Sequence, residues 1–389
     1  MAEIMASDRF RYVILGAGCA GLSLCYYLLE AGVSEEIVLL DRRTSFPDDR
    51  TWCFWHTRSQ PFHDLATHCW HAWRVYGPDG GEVRQDRTAI GYARLRSSDF
   101  YSYVLDRLSQ APNVTLRMGE NITGYTQGSA GVSVQTGQGT VTGDYLFDGR
   151  GGGPTGGLRQ HFFGQVLQTS VPTFDPSCPT LMDFRVSQEQ GLRFLYVLPY
   201  SPTEALVEDT CLGGPTLAPE AHRSVIAKYA RRFLDIGDFK VTHEESGSIP
   251  MCARRLPLRE GARVFHIGQA AGASKPSSGY TFLRIQEQCQ RLAEAMTSGQ
   301  PDNAPRRFAP RRFAFFDAAF LAALQQAPEQ FPAYFSRLFR TVPPDALARF
   351  LSENSTWRDE FRVATALPPG PFLRAALTSA PQWLPHLMP

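Results

Sequence analysis

The fold is decided by Tyr12-Val13-Ile14-Leu15-Gly16-Ala17-Gly18-Cys19-Ala20-Gly21 and the acid that closes the next apolar run, Ile37-Val38-Leu39-Leu40-Asp41. An apolar strand runs into three glycines at G-x-G-x-x-G spacing. An amphipathic segment follows, and then a second strand ending in a carboxylate. A dinucleotide pyrophosphate needs this order, because backbone N–H groups and the positive end of a helix then face the anion. Gly16 permits the turn, Gly18 lets the phosphates approach and Gly21 lets the helix pack on the strand. Asp41 stands 25 positions after Gly16, where a ribose-binding acid is expected. The unit therefore predicts FAD or NAD(P) binding; a glycine triad by itself would read equally as an ordinary βαβ turn.

Composition sets the outer limits. At 389 residues the chain holds more than one core, and its 43% hydrophobic and 20% charged residues are those of a globular protein. A net charge of +1 and the lack of any long basic run give no case for nucleic acid. The eight cysteines contain no C-x-x-C pair and sit mostly among apolar residues, so they read as reduced thiols of a cytosolic protein. The histidines are scattered, with no H-E-x-x-H, and no metal is expected. No G-x-S-x-G elbow marks a serine hydrolase. The start of the sequence lacks the basic-then-apolar pattern of a secretory signal, and no apolar run reaches the ~18 residues of a membrane span. A peripheral membrane contact stays open, with His161-Phe162-Phe163-Gly164 and Pro381 to Met388 as its candidates; both also read as ordinary packing.

Beyond residue 41 the pattern changes. Residues 42–96 read as loop-rich and aromatic. A helix is expected over 98–110, where Phe100, Tyr103, Val104 and Leu108 recur at helical spacing. A parallel strand follows at Val114 to Leu116, and strands at 132–134 and 141–147 end in the glycine turn that begins at Gly149. Arg150 beside that turn reads as a cofactor contact or as a surface arginine. Antiparallel strands are expected at 180–185, 192–198 and 205–211, with Ser201-Pro202-Thr203 as the turn between the last two. Helices follow at 219–235 and 280–296, a buried strand at 264–268, and a helical tail from about Pro305. The expected division is a discontinuous dinucleotide-binding domain over 8–165 and 245–300, an antiparallel substrate region over 166–244, and a helical C-terminal region over 301–389.

Four further motifs carry a family resemblance. They are Phe46-Pro47-Asp48-Asp49-Arg50-Thr51-Trp52-Cys53-Phe54-Trp55; the pair Met182-Asp183-Phe184-Arg185 and Phe194 to Thr203 leading to Leu206-Val207-Glu208-Asp209-Thr210; Ile249-Pro250-Met251; and Ile267-Gly268-Gln269 through Lys275-Pro276-Ser277-Ser278-Gly279-Tyr280-Thr281-Phe282. With the glycine triad, they make residues 10–377 resemble the flavin-dependent lycopene cyclases of the bacterial and plant β-cyclase type. The resemblance implies an α/β fold of the glutathione-reductase type, with a Rossmann-like FAD-binding domain, an antiparallel substrate sheet and C-terminal helices. It implies reduced FAD, with NADPH or a reductase as electron source, and a carotenoid substrate. The ψ end group would be protonated and closed to a ring without net redox change.

The same resemblance assigns residues. Gly268 would end the strand beneath the flavin, and Lys275, Pro276 and Gly279 would wrap the isoalloxazine edge. Gln269 stands where related hydroxylases carry an acid, which fits a cyclase better. Glu208 would be the general acid, with Asp209 as a carboxylate that orients it or shares its proton. On a strand Leu206, Glu208 and Thr210 share one face while Val207 and Asp209 share the other; from that pattern alone, Glu208-Asp209 also reads as a solvated strand end. Trp52, Trp55, Tyr196, Tyr200, Tyr280 and Phe282 are candidates for the aromatic walls around a carbocation, or simply for core. The expected site of action is the cytoplasmic face of the membrane. A flavin monooxygenase or desaturase, a cyclase of another prenyl chain, and a non-catalytic flavin or carotenoid binder remain the alternatives.

Overall fold

A computed structural model describes residues 9–151, 156–189, 191–254 and 256–379. Its first layer is an eight-stranded sheet. Five strands run parallel, in the order Val264–His266, Gly139–Asp148, Arg9–Leu15, Ile37–Asp41 and Val114–Met118. Arg259–Glu260 adds an antiparallel edge, and the hairpin of Ile122–Gly128 and Gly131–Thr136 folds over from Gly139–Asp148. Both faces are covered, which is why the opening strand is apolar at successive positions rather than alternating. Tyr12, Ile14, Ile37 and Leu39 pack towards the helices Cys19–Glu30 and Phe282–Thr297. Val13, Leu15, Val38 and Leu40 pack beneath the hairpin.

The second layer is a seven-stranded sheet in the order Lys240–Met251, Leu158–Gln168, Glu204–Leu212, Leu192–Ser201, Thr180–Asp183, Trp73–Tyr76 and Glu82–Gln85. One face is closed by the helix Pro219–Phe233, with Phe163, Leu195 and Val207 against Ile226 and Tyr229. The other face looks into the molecule, towards the first sheet and five C-terminal helices between Arg311 and Thr378.

The helices and about half of the described strands fall where the sequence places them; Ile122–Gly128, Leu158–Gln168 and Lys240–Met251 are strands beyond those expectations. Two differences matter for the site. The loop-rich stretch 42–96 also carries five short strands: Thr51–Trp55, His68–Trp70 and Tyr92–Arg96 form a three-stranded sheet, and Trp73–Tyr76 and Glu82–Gln85 extend the second layer. These strands are three to five residues long, too short to show alternation. The boundaries drawn at 165/166 and 244/245 both fall inside strands, Leu158–Gln168 and Lys240–Met251, which pair with each other along their length. His161 to Gly164 lies in the middle of the first of these, flanked by strands on both sides, so it is sheet interior rather than a membrane contact. Residues 381–388 lie outside the described residues.

Candidate active site

The glycine turn has the geometry its spacing predicts. Gly16 adopts φ +95°, and Gly18 is the N-cap of the helix Cys19–Glu30. A Cβ at Gly21 would stand 1.9 Å from the Gly16 carbonyl oxygen, so only glycine fits there. Asp41 lies under the turn. It accepts from the Ala17 N–H at 2.6 Å and the Arg43 N–H at 2.8 Å, and so holds the two ends of the βαβ unit together. The Arg43 guanidinium reaches to 3.8 Å from a Cβ built on Gly18, at the edge of the turn. The helix N-terminus, the bare glycine backbone and this arginine fit a dinucleotide pyrophosphate.

One cavity of about 730 Å³ begins at Gly16, Gly18 and Gly21 and continues between the sheets to the C-terminal helices. Its middle is formed by Trp52, Tyr196, Glu208, Gln269, Gly279 and Tyr280, and its far end by phenylalanines such as Phe315, Phe320, Phe335 and Phe372. Phe282 also lines it, stacked on Trp52 with ring centroids 5.4 Å apart. Gly268 sits at φ +62°, where a Cβ would strike Ala20, and closes the wall beneath the glycine turn. Tyr196 donates to the Tyr92 hydroxyl at 2.8 Å, and the Tyr280 hydroxyl is 3.5 Å from the same atom. Burial drives all three phenols up from their ordinary values, Tyr280 to about 12, so this wall stays uncharged.

Glu208 opens into this cavity. Burial pushes its carboxyl up to about 8, and the charge of Glu245 adds to the rise; the Thr210 hydroxyl, donating at 2.6 Å, opposes it. A carboxylic acid there is still largely protonated at neutral pH.

Several expected site residues are elsewhere, each for a definite reason. Asp209 is on the opposite face of the strand, as the two-residue period requires, fully buried and bound by Arg193 and by His222 Nδ1 at 2.7 Å. It neither orients Glu208 nor shares its proton. Lys275 turns away from the cavity to pair with Asp317 at 2.7 Å and Glu353 at 3.3 Å. Pro276 lines a separate small pocket behind the loop. Arg150 folds back on Asp148 at 2.9 Å. Trp55 is buried against Trp73 and Tyr92, outside the cavity. Tyr200 lies under the Arg94 guanidinium, 3.7 Å from its ring centroid. Residues that the sequence reading passed over also line the cavity, among them Arg43, Thr51, Glu245, Phe315 and Phe316. Glu245 shares its strand face with Gly247 and Ile249, which also line the cavity.

Comparison with known proteins agrees with this geometry. A crystal structure of the halogenase PltM superposes with a TM-score of 0.61 at 13% identity, covering 98% of this chain and 97% of that one. A geranylgeranyl bacteriochlorophyll reductase-like protein from Thermoplasma acidophilum superposes at 0.60 with 12% identity and 98% of both chains. These establish the α/β flavoprotein fold with its antiparallel sheet and C-terminal helices. Among named relatives, the lycopene beta-cyclase of Pantoea ananas is 29% identical over 94% of this chain and 97% of its own length. That of a Paracoccus species is 28% identical over 95% and 97%. The sequence profile described as "Lycopene cyclase protein" matches residues 12–377. A buried acid in a cavity between a dinucleotide turn and a phenylalanine-lined end, on a chain matched over this length, places the protein in the lycopene cyclase family.

Proposed function

We propose that the protein closes the linear ψ end groups of lycopene to β rings, giving γ- and then β-carotene, by protonation and carbocation cyclisation. The observation that carries this reading is Glu208, a carboxylic acid kept neutral by burial in an apolar cavity. An isolated alkene accepts a proton only from a strong acid in a dry site, and the cation that forms survives only where water is excluded. Glu208 is the donor. Trp52, Tyr196, Tyr280 and Phe282 turn neutral aromatic surface towards the developing charge. The phenylalanine-lined end accepts the polyene.

FAD is the dinucleotide proposed for the turn, held by Gly16, Gly18, Gly21 and Gly279, with Gln269 where hydroxylases carry an acid. In its reduced form, with electrons from NADPH or a reductase, it would supply negative charge that favours the cation. Gly21→Ala forces the Gly16 carbonyl aside. The purified variant is expected to carry little or no flavin absorbance; a fully yellow Gly21→Ala protein would contradict the assignment of the turn.

The reading is tested by expressing the chain in a lycopene-accumulating host and separating the pigments. Cyclisation leaves the mass of the pigment unchanged, whereas a monooxygenase would add an oxygen atom. Linear lycopene alone, with the flavoprotein present, would overturn the proposal.

The protein would meet its substrate at a membrane surface. Among the described residues no helix is long and apolar enough to cross a membrane. The helices Trp357–Ala366 and Pro369–Thr378 nevertheless expose Trp357, Phe361, Leu373 and Leu377, each more than 60% accessible. Arg358, Arg362 and Arg374 are exposed beside them. Leu373 also lines the cavity, so its apolar end reaches the surface within this patch. Aromatic and aliphatic side chains ringed by arginines suit an anionic lipid surface. Replacing Trp357, Phe361 and Leu377 together by serine should weaken co-sedimentation with anionic vesicles about tenfold or more. Turnover of detergent-dispersed lycopene should be retained. Undiminished sedimentation would remove this surface from consideration.

A further inference from the structure

Glu208 has a second acid on its own face of the sheet. The strand Leu158–Gln168 lies between Glu204–Leu212 and Lys240–Met251, and Gly164 pairs with Glu208 on one side and with Glu245 on the other. Residues directly opposite in neighbouring strands point the same way. A Cβ on Gly164 would stand 3.5 Å from Glu208 Cβ, 3.4 Å from Glu245 Cγ and 2.8 Å from Leu206 Cδ1. Position 164 is therefore a gap into which two acid stems lean, and both acids line the cavity. A side chain there would drive them apart.

Their surroundings differ. Glu245 accepts a hydrogen bond from Thr51 Oγ1 at 2.8 Å. His243, two residues away on its own strand, Arg94 from Tyr92–Arg96 and Arg50 just before Thr51–Trp55 also favour its ionised form, while burial outweighs them and holds the carboxyl above the usual carboxylate range. Tyr200 and the Cys53 thiol, the other titratable groups that feel its charge, are neutral, pushed up by burial. Glu208 has only the Thr210 hydroxyl and faces the negative charge of Glu245. A carboxyl pair divided in this way provides one acid and one base.

We infer that Glu245 is the proton acceptor of ring closure, standing across the Gly164 gap from the donor Glu208. The inference rests on the cyclisation proposed above. The Glu208 O–H gives its proton to the terminal alkene. The electron pair of the neighbouring alkene forms the ring C–C bond and leaves the positive charge on a ring carbon. The Glu245 carboxylate removes a proton from the adjacent ring C–H, and that electron pair becomes the ring double bond. One proton enters the substrate and one leaves it. Glu208 ends ionised and Glu245 protonated, and proton passage across the gap restores both without oxidant or reductant.

The test compares flavin-loaded wild type, Glu245→Gln, Glu245→Asp and His243→Gln on lycopene in lipid vesicles with a chemical reductant, across pH. Glu245→Gln should lose turnover about 10²-fold or more at unchanged KM. It should also lose the acidic limb of the pH profile, where the wild type slows as Glu245 is protonated. Glu245→Asp should recover part of the rate, and His243→Gln should keep the limb, moved to higher pH. Should Glu245→Gln fail to hold flavin, Thr51→Val decides: loss of its hydrogen bond must move the acidic limb to higher pH. Wild-type turnover with an intact acidic limb in Glu245→Gln, or an unmoved limb in Thr51→Val, overturns the assignment. A wild type that forms no ring sinks the functional reading, and this assignment with it.

Discussion

Replacing Glu208 by glutamine is expected to cut ring formation by about 10²–10⁴-fold while leaving flavin content and thermal stability close to those of the wild type. Glutamine has the shape of the neutral acid but no proton to give. The site already holds the uncharged form, so the amide costs little there. The same residue sets the alkaline side of the wild-type profile. Its carboxyl is pushed up to about 8 by burial and by Glu245. The protonated form is the active one, so the rate should hold near neutrality and fall as pH rises through that value. Steady-state pigment formation across pH, with flavin absorbance as the control for integrity, measures both effects. Near-normal cyclisation by Glu208→Gln would remove Glu208 as donor.

The second large effect concerns Lys275→Met. The Lys275 ammonium is 2% exposed and is shared between Asp317 at 2.7 Å and Glu353 at 3.3 Å. Glu353 keeps Arg284 at 2.7 Å, but Asp317 would retain only the Ser277 hydroxyl. Removing one partner of a buried pair leaves a charge without compensation, at a cost of about 3–5 kcal/mol. Lys275→Met should therefore unfold at a markedly lower temperature and denaturant midpoint. The double variant Lys275→Met, Asp317→Leu should recover much of the loss, because the stranded carboxylate is gone. If Lys275 instead gripped the flavin, the single variant would lose flavin without losing stability, and the second substitution would restore nothing. Chemical unfolding monitored by circular dichroism separates the two.

What the sequence reveals follows the distance over which each feature is encoded. The βαβ unit is legible because its strand, turn, helix and acid are consecutive, and each obeys a local rule. Glu208 is legible only with the family motif, since a strand ending in Glu-Asp is ordinary by itself. Asp209 illustrates the limit of a motif: strand alternation already placed it on the other face, and the structure follows the alternation. Glu245 stayed hidden because its meaning depends on Gly164, some eighty residues away, and no local pattern reports which strands lie side by side. Lys275 was misplaced for a related reason. Its loop follows the flavin motif, but its carboxylate partners lie in the C-terminal helix Arg311–Gln326 and in the turn after Pro344–Leu351, whose docking no periodicity describes.

The hairpin turn at Pro202-Thr203 acquires a chemical meaning from this arrangement. It pairs Ser201 with Glu204, and a bulge at Tyr200 then shifts the register so that Pro199 meets Ala205 and Tyr196 meets Glu208. Were the register beyond the bulge to slip by one residue, the strand's odd and even positions would exchange sides. The aspartate would then project into oil, and the glutamate would be handed to an arginine and a histidine. The turn and the bulge beside it thus decide together which of two adjacent acids is kept anhydrous.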